Sequence, residues 1–375
     1  MNIRMISSLG IFLVGMSGFA YADSYYQANI NLGPVNPETI TQADGNIQFN
    51  DLSALGVGAT MTINNLGSGN QFFPYNKNEG PVRSKNIVKS GNNVFDNEIR
   101  STAIGAQVPI ENQGDESEFE TKNINKGYVK AETDIQAHGN IEKNEIVTTA
   151  LGAITSINSD GHGNKFKTLN VNKADVKAKA KIVAKGDVIN NDISTLAIGA
   201  SLGIENDGSH NKFKSININK GDVSATTFTK SPYQNVEFNS IYTTAIGAQT
   251  VIRSTEQSHE NKFFTVNINK GDVRSNATII AGADVKDNTI TTSAVGALTQ
   301  IDEEDSKNKY FTVNINKGLV NINTLTIAGA DVKDNKITTS AIGALIHVNG
   351  NGSENKYFTT NINKGDVASK SITIA

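Results

Sequence analysis

The chain has 375 residues, a formal net charge of −3, no cysteine, no tryptophan and 6% aromatic residues. Near-neutrality, without a basic stripe beside an aromatic platform, argues against nucleic acid as a partner, and the missing cysteines exclude disulfide staples and a lipoprotein anchor. Abundant Asn, Gly, Thr and Ile suit stacked strands and tight turns better than a helical bundle.

The first predicted element is a leader. Arg4 precedes the apolar run Ile11-Phe12-Leu13-Val14-Gly15-Met16 and the small-residue site Ala20-Tyr21-Ala22, which predicts a secretory signal peptide over residues 1–22 and one mature domain over 23–375. No later run has the length and apolarity of a membrane-spanning helix. The expectation is therefore a secreted chain, placed outside a bacterium or on its surface and not integral to a membrane.

From Tyr25 onward the sequence repeats itself. The Gly of an Asn-Ile-Asn-Lys-Gly signature falls at Gly33, Gly80, Gly127, Gly221, Gly271, Gly318 and Gly365, with Ala174 in its place once, at spacings of 47 except for one of 50. A second element, written Ser-Ala-Ile-Gly-Ala-Leu at 340–345, places its Gly at Gly58, Gly105, Gly152, Gly199, Gly247, Gly296 and Gly343. Extra residues enter near Pro232 and between Gln249 and Glu260, turn-like places where insertion costs little. The two elements resemble each other, each an Asn followed at period two by apolar, hydroxyl and small or amide residues. Each 47-residue unit thus reads as two related halves.

Counting back by twos from the first Gly marker, one strand face reads aromatic, Thr, Asn, Asn. The aromatic is Tyr25, Phe72, Phe119, Phe166, Phe213, Phe263, Tyr310 and Tyr357. The first Asn is Asn29, Asn76, Asn123, Asn170, Asn217, Asn267, Asn314 and Asn361, and the second is Asn31, Asn78, Asn125, Asn172, Asn219, Asn269, Asn316 and Asn363. Alternation at period two is the strand signature, and the uniform face is the one expected to meet its own copies. Layers stacked about 4.8 Å apart let each amide donate to one neighbour and accept from the other, while aromatics stack alongside. Asn50, Asn97, Asn144, Asn191, Asn239, Asn288 and Asn335 open the second element in the same manner. A lone Asn is usually a turn or a cap; columns of them in phase point to ladders.

The predicted fold is all-β, a parallel β-solenoid of about seven and a half 47-residue repeats. If a unit is one coil the rod is roughly 36 Å long, and if each half is a coil it is roughly 70 Å; the sequence leaves both open. A full copy of the Asn half begins at Tyr25, the last repeat stops within its third apolar stretch at Ala375, and no capping repeat is visible at either place. Open edges of matching pattern invite head-to-tail addition of further copies.

With its leader, lack of Cys and polar Asn-rich strand-turn-strand repeats, the chain resembles the curlin-like functional amyloids and other secreted β-solenoid proteins of biofilm matrix fibres. The Ser-Ala-Ile-Gly-Ala segments are similar to head repeats of trimeric autotransporter adhesins. The resemblance implies a self-assembling fibre subunit or matrix adhesin. Its expected partners are other copies, joined through open solenoid ends, and an outer-membrane export or anchoring factor.

Catalysis and cofactors are not expected. The acidic run Asp302-Glu303-Glu304-Asp305 sits in one variable turn without partners in adjacent copies and reads as a solvated loop, while His162, His210 and His259 share a turn in successive copies but differ in register. Thr148, Thr195, Thr243, Thr292 and Thr339, adjoining Ser101, form a partial threonine array of the kind an ice-binding face would use. Two function classes follow: a secreted fibre subunit and, as the alternative, a monomeric adhesin whose variable turns hold a polysaccharide or a surface.

Overall fold

The computed structural model describes residues 24–255, 258–304, 307–350 and 355–375, so the leader expected over 1–22 lies outside the described residues. Every regular element among the described residues is a β-strand. The strands form four parallel sheets, and within each sheet neighbouring strands are the same element of successive repeats. Sheet A gathers the Asn-rich strands from Ser24–Asn31 to Lys356–Asn363, and sheet B those from Glu38–Ala43 to Val367–Ile374. Sheet C holds two-residue strands from Ile47–Gln48 to Val332–Lys333, and sheet D the long strands from Asp51–Thr60 to Lys336–Gly350.

A 47-residue unit therefore visits the four sheets once and returns one layer up: Phe119 pairs with Phe166, and Asn125 with Asn172. One unit is one coil, and the shorter rod of roughly 36 Å is the correct one. The half-unit alternative fails for a reason the backbone supplies. Asp96, Lys143 and Asn190 have φ of 52° to 54° immediately before Asn97, Asn144 and Asn191, and Glu116, His210 and Glu260 have φ of 52° to 61° immediately before Ser117, Asn211 and Asn261. A left-handed residue followed by an amide or hydroxyl makes the same corner twice per coil. The kinship of the halves is the kinship of two corners.

Strand alternation sends one side chain in and the next out, and the inward set makes three apolar columns. The end of sheet B, sheet C and the start of sheet D enclose Val88, Val94, Ile99, Ile135, Ile141 and Ile146. Val82, Val129 and Val176 of sheet B pack with Ala103, Ala150 and Ala197 of sheet D. Phe119, Phe166 and Phe213 of sheet A pack with Ile110, Ile157 and Ile204 at the far end of sheet D. Between the second and third columns sheet D bends at its Gly-Ala pair, where two consecutive residues face inward and the Gly drops out of the pairing: Leu151 pairs with Ile198 and Ala153 with Ala200. The added residue near Pro232 lies in the turn between Val223–Ser231 and Val236–Glu237. The other insertion adjoins residues 256–257, outside the described residues.

Candidate functional site

The candidate site is the set of columns that run along the inside of sheet A and around its corners. All eight aromatics stack face to face along the axis, with centroids 4.7 to 5.2 Å apart and ring planes within 14° of parallel. Stacked pairs contribute about 0.5–1.5 kcal/mol each beyond burial.

The second Asn column is an unbroken ladder. Nδ2 of Asn31 donates to Oδ1 of Asn78 at 2.8 Å, and the bond recurs at 2.8 Å through Asn125, Asn172, Asn219, Asn269 and Asn316 to Asn363. Each Nδ2 also donates two residues ahead within its turn, as Asn125 does to the Gly127 carbonyl. The corner glycine of sheet D exists for this column. A Cβ on Gly199 would sit 2.3 Å from Asn219 Oδ1, and the same collision recurs between Gly105 and Asn125 and between Gly296 and Asn316.

The first Asn column serves the bend. Asn76 Nδ2 donates to the carbonyls of Ala59 and Gln107, and Asn123 Nδ2 to those of Ala106 and Ile154, satisfying backbone oxygens that the corner frees. Amide-to-amide bonds of 3.0 to 3.1 Å link Asn29, Asn76, Asn123 and Asn170, and again Asn217, Asn267 and Asn314. Asn314 Nδ2 donates to the Leu345 carbonyl, and Asn361 continues the column in register. The column from Asn50 to Asn335 forms a third ladder at 2.9 to 3.0 Å. There Oδ1 accepts twice, as Asn144 Oδ1 does from Asn97 Nδ2 and from the Asn97 amide.

A further column was not read from the sequence: Asn164, Asn211, Asn261, Asn308 and Asn355, each accepting through Oδ1 from the preceding coil's amide at 2.7 to 2.9 Å. The signal was present as Asn-Lys-aromatic in five copies, and Ser117 breaks the pattern while keeping the bond, since its Oγ accepts from the Asn70 amide.

Two expectations need correction. The threonine array faces the interior: Thr148 and Thr243 are fully buried, and their hydroxyls donate to Thr133 and Thr227 of sheet B at 2.7 Å. Glu303 of the acidic run is 4% exposed and accepts from the Tyr357 hydroxyl, and Asp305 lies outside the described residues. Burial is the main cause that pushes the Tyr310 and Tyr357 hydroxyls above the ordinary phenol range, with the Glu303 carboxylate adding to it. The histidines are scattered in function: His162 Nδ1 accepts from the Ser209 amide and His210 lies 3.2 Å from Glu260, and among the described residues no three metal-ligating side chains converge.

Outside sheet B, Arg83, Lys85, Tyr128, Lys130 and Lys177 line an open groove of about 610 Å³, with the Lys177 ammonium 5.5 Å from the centre of the Tyr128 ring. No described helix is long and apolar enough to cross a membrane. Comparison with protein-family models, curated proteins and solved structures finds no match to this chain.

Proposed function

We propose that the protein is a secreted structural subunit that adds head to tail into an extracellular fibre. The observation that carries this reading is the polarity of the three inner ladders: each of their amide-to-amide bonds runs from Nδ2 of one coil to Oδ1 of the next. The outermost described strands of sheet A consequently present complementary halves. Asn31 Oδ1 receives no described donor, and Asn363 Nδ2 donates only to the Gly365 carbonyl where its counterparts donate twice. Laid on a second copy, Lys356–Asn363 against Ser24–Asn31 matches Tyr with Tyr, Phe with Tyr, and Asn-Ile-Asn with Asn-Ile-Asn. Such a contact is heterologous and does not close, so it propagates.

The test is electron microscopy with fibre diffraction on the protein purified after export and released from denaturant. Filaments with a meridional spacing near 4.8 Å support the reading. Replacing Asn363 by Asp sets a carboxylate against Asn31 Oδ1 of the next copy and is expected to stop elongation while leaving circular dichroism unchanged. A folded wild-type monomer that persists without filaments overturns the proposal. It would favour the second reading, a monomeric binding module, for which the groove beside Tyr128 is the supporting observation.

A further inference from the structure

The outside of sheet A changes character along the rod. Where the third coil presents Glu118 and Glu120, the last three present Lys and Phe: Lys262 with Phe264, Lys309 with Phe311, Lys356 with Phe358. These three phenylalanines are 43%, 37% and 56% exposed. Val266, Ile268, Val313, Ile315 and Ile362 complete the same outward face, each half-buried by its neighbours along the column. No side chain with a hydrogen-bonding group interrupts these columns in the sixth and seventh coils, and Thr360 is the one that does in the last.

Lysines border this apolar strip on both sides. At the start of the strands, Lys165, Lys212, Lys262, Lys309 and Lys356 pair directly in register. At the far side, Lys220, Lys270, Lys317 and Lys364 occupy the same turn of successive coils. None of these nine lysines makes an ion pair among the described residues, whereas Glu118, one coil below Lys165 in the same column, is paired with Lys167. In-register like charges oppose folding, so no ion pair among the described residues accounts for them.

We propose that the outer face of sheet A over the last coils is a docking surface for an anionic lipid bilayer. The phenylalanine and valine–isoleucine columns enter the headgroup boundary while the two lysine rows reach lipid phosphates on either side. Two alternatives fit the same face less well. A second copy packed face to face would set lysine rows against lysine rows. A polysaccharide would bury hydroxyls against Phe, Val and Ile, which offer them no partner. The surface is distinct from the strand edges that would carry head-to-tail assembly, so either proposal stands or falls without the other.

Co-sedimentation of the exported protein with vesicles tests it, using mixed phosphatidylglycerol–phosphatidylcholine and phosphatidylcholine alone. Binding is expected to the anionic vesicles only and to weaken with salt. Each lysine removed in the set Lys262→Gln, Lys309→Gln, Lys356→Gln is expected to lower it about fivefold, and Phe264→Ser with Phe311→Ser to abolish most of it. The control set Lys179→Gln, Lys181→Gln, Lys230→Gln on sheet B leaves binding unchanged. Equal loss in the control set, equal binding to neutral vesicles, binding to soluble polyanions without vesicle binding, or crosslinking of copies through a cysteine placed at Phe311 would each overturn the proposal.

Discussion

Phe263 and Phe264 are consecutive residues of one strand with opposite fates. Phe263 is buried and stacked 4.8 Å from Phe213 below and 4.9 Å from Tyr310 above, while Phe264 faces out and lies 6.5 Å from Phe311 with its ring tilted by 32°. The inner column keeps an aromatic in every coil; the outer one runs Tyr26, Phe73, Glu120, Lys167, Lys214, Phe264, Phe311, Phe358. Identity is enforced where copies meet inside a closed layer, because a ring or amide of the wrong shape leaves a void or an unpaired polar atom. Outside, water accepts almost any side chain. Order that nevertheless persists there, such as the lysine rows, calls for a partner beyond the chain.

Changing these two residues breaks the comparison most sharply. Phe263→Ala is expected to cost about 3–5 kcal/mol in equilibrium denaturation, and Phe264→Ala less than about 1 kcal/mol; equal losses would mean that the outer ring is also packed. Next in size is the ladder itself. Asn219→Ala strands the Asn172 amide, the Asn269 Oδ1 and the Gly221 carbonyl, and a loss of about 2–3 kcal/mol is expected by the same measurement.

Alkaline pH sharpens the inner column's chemistry. The Tyr310 hydroxyl titrates above its ordinary 10.0 in the fold, mainly through burial, so as pH rises the unfolded chain releases that proton first. Its contribution to stability is complete below about pH 10 and falls above it by about 1.4 kcal/mol per pH unit. Denaturation followed across that range in wild type and Tyr310→Phe should show a shallower decline in the variant. The smallest effect belongs to the outer rows. Lys212→Gln is expected to change stability by no more than about 0.5 kcal/mol, in the stabilising direction, with the difference fading as salt screens the row.

Much of the ladder was legible because a column of identical residues at a constant spacing has few explanations. Asn125, Asn172 and Asn219 could be placed on one inner face from period-two alternation alone. The column through Asn164, Asn211 and Asn261 was not, since it begins at the end of a variable turn and Ser117 interrupts it. Burial of Thr148 was equally hidden. A threonine that recurs once per repeat beside a second one, as Thr148 does beside Thr149, is compatible with either face, and only the closing of sheet D onto sheet B sends its hydroxyl to Thr133.

By itself the sequence determined the repeat, its strand character and the residues that recur within it, because those follow from spacing and side-chain alternation. Tertiary structure decided how many corners make a coil. Two left-handed corners of the same kind, at Asp96 and Glu116, share one turn of the solenoid, and local similarity cannot tell a corner from a full circuit. That distinction depends on which strands come to lie beside each other, as Phe119 lies beside Phe166, and it is settled only when the chain closes around its core.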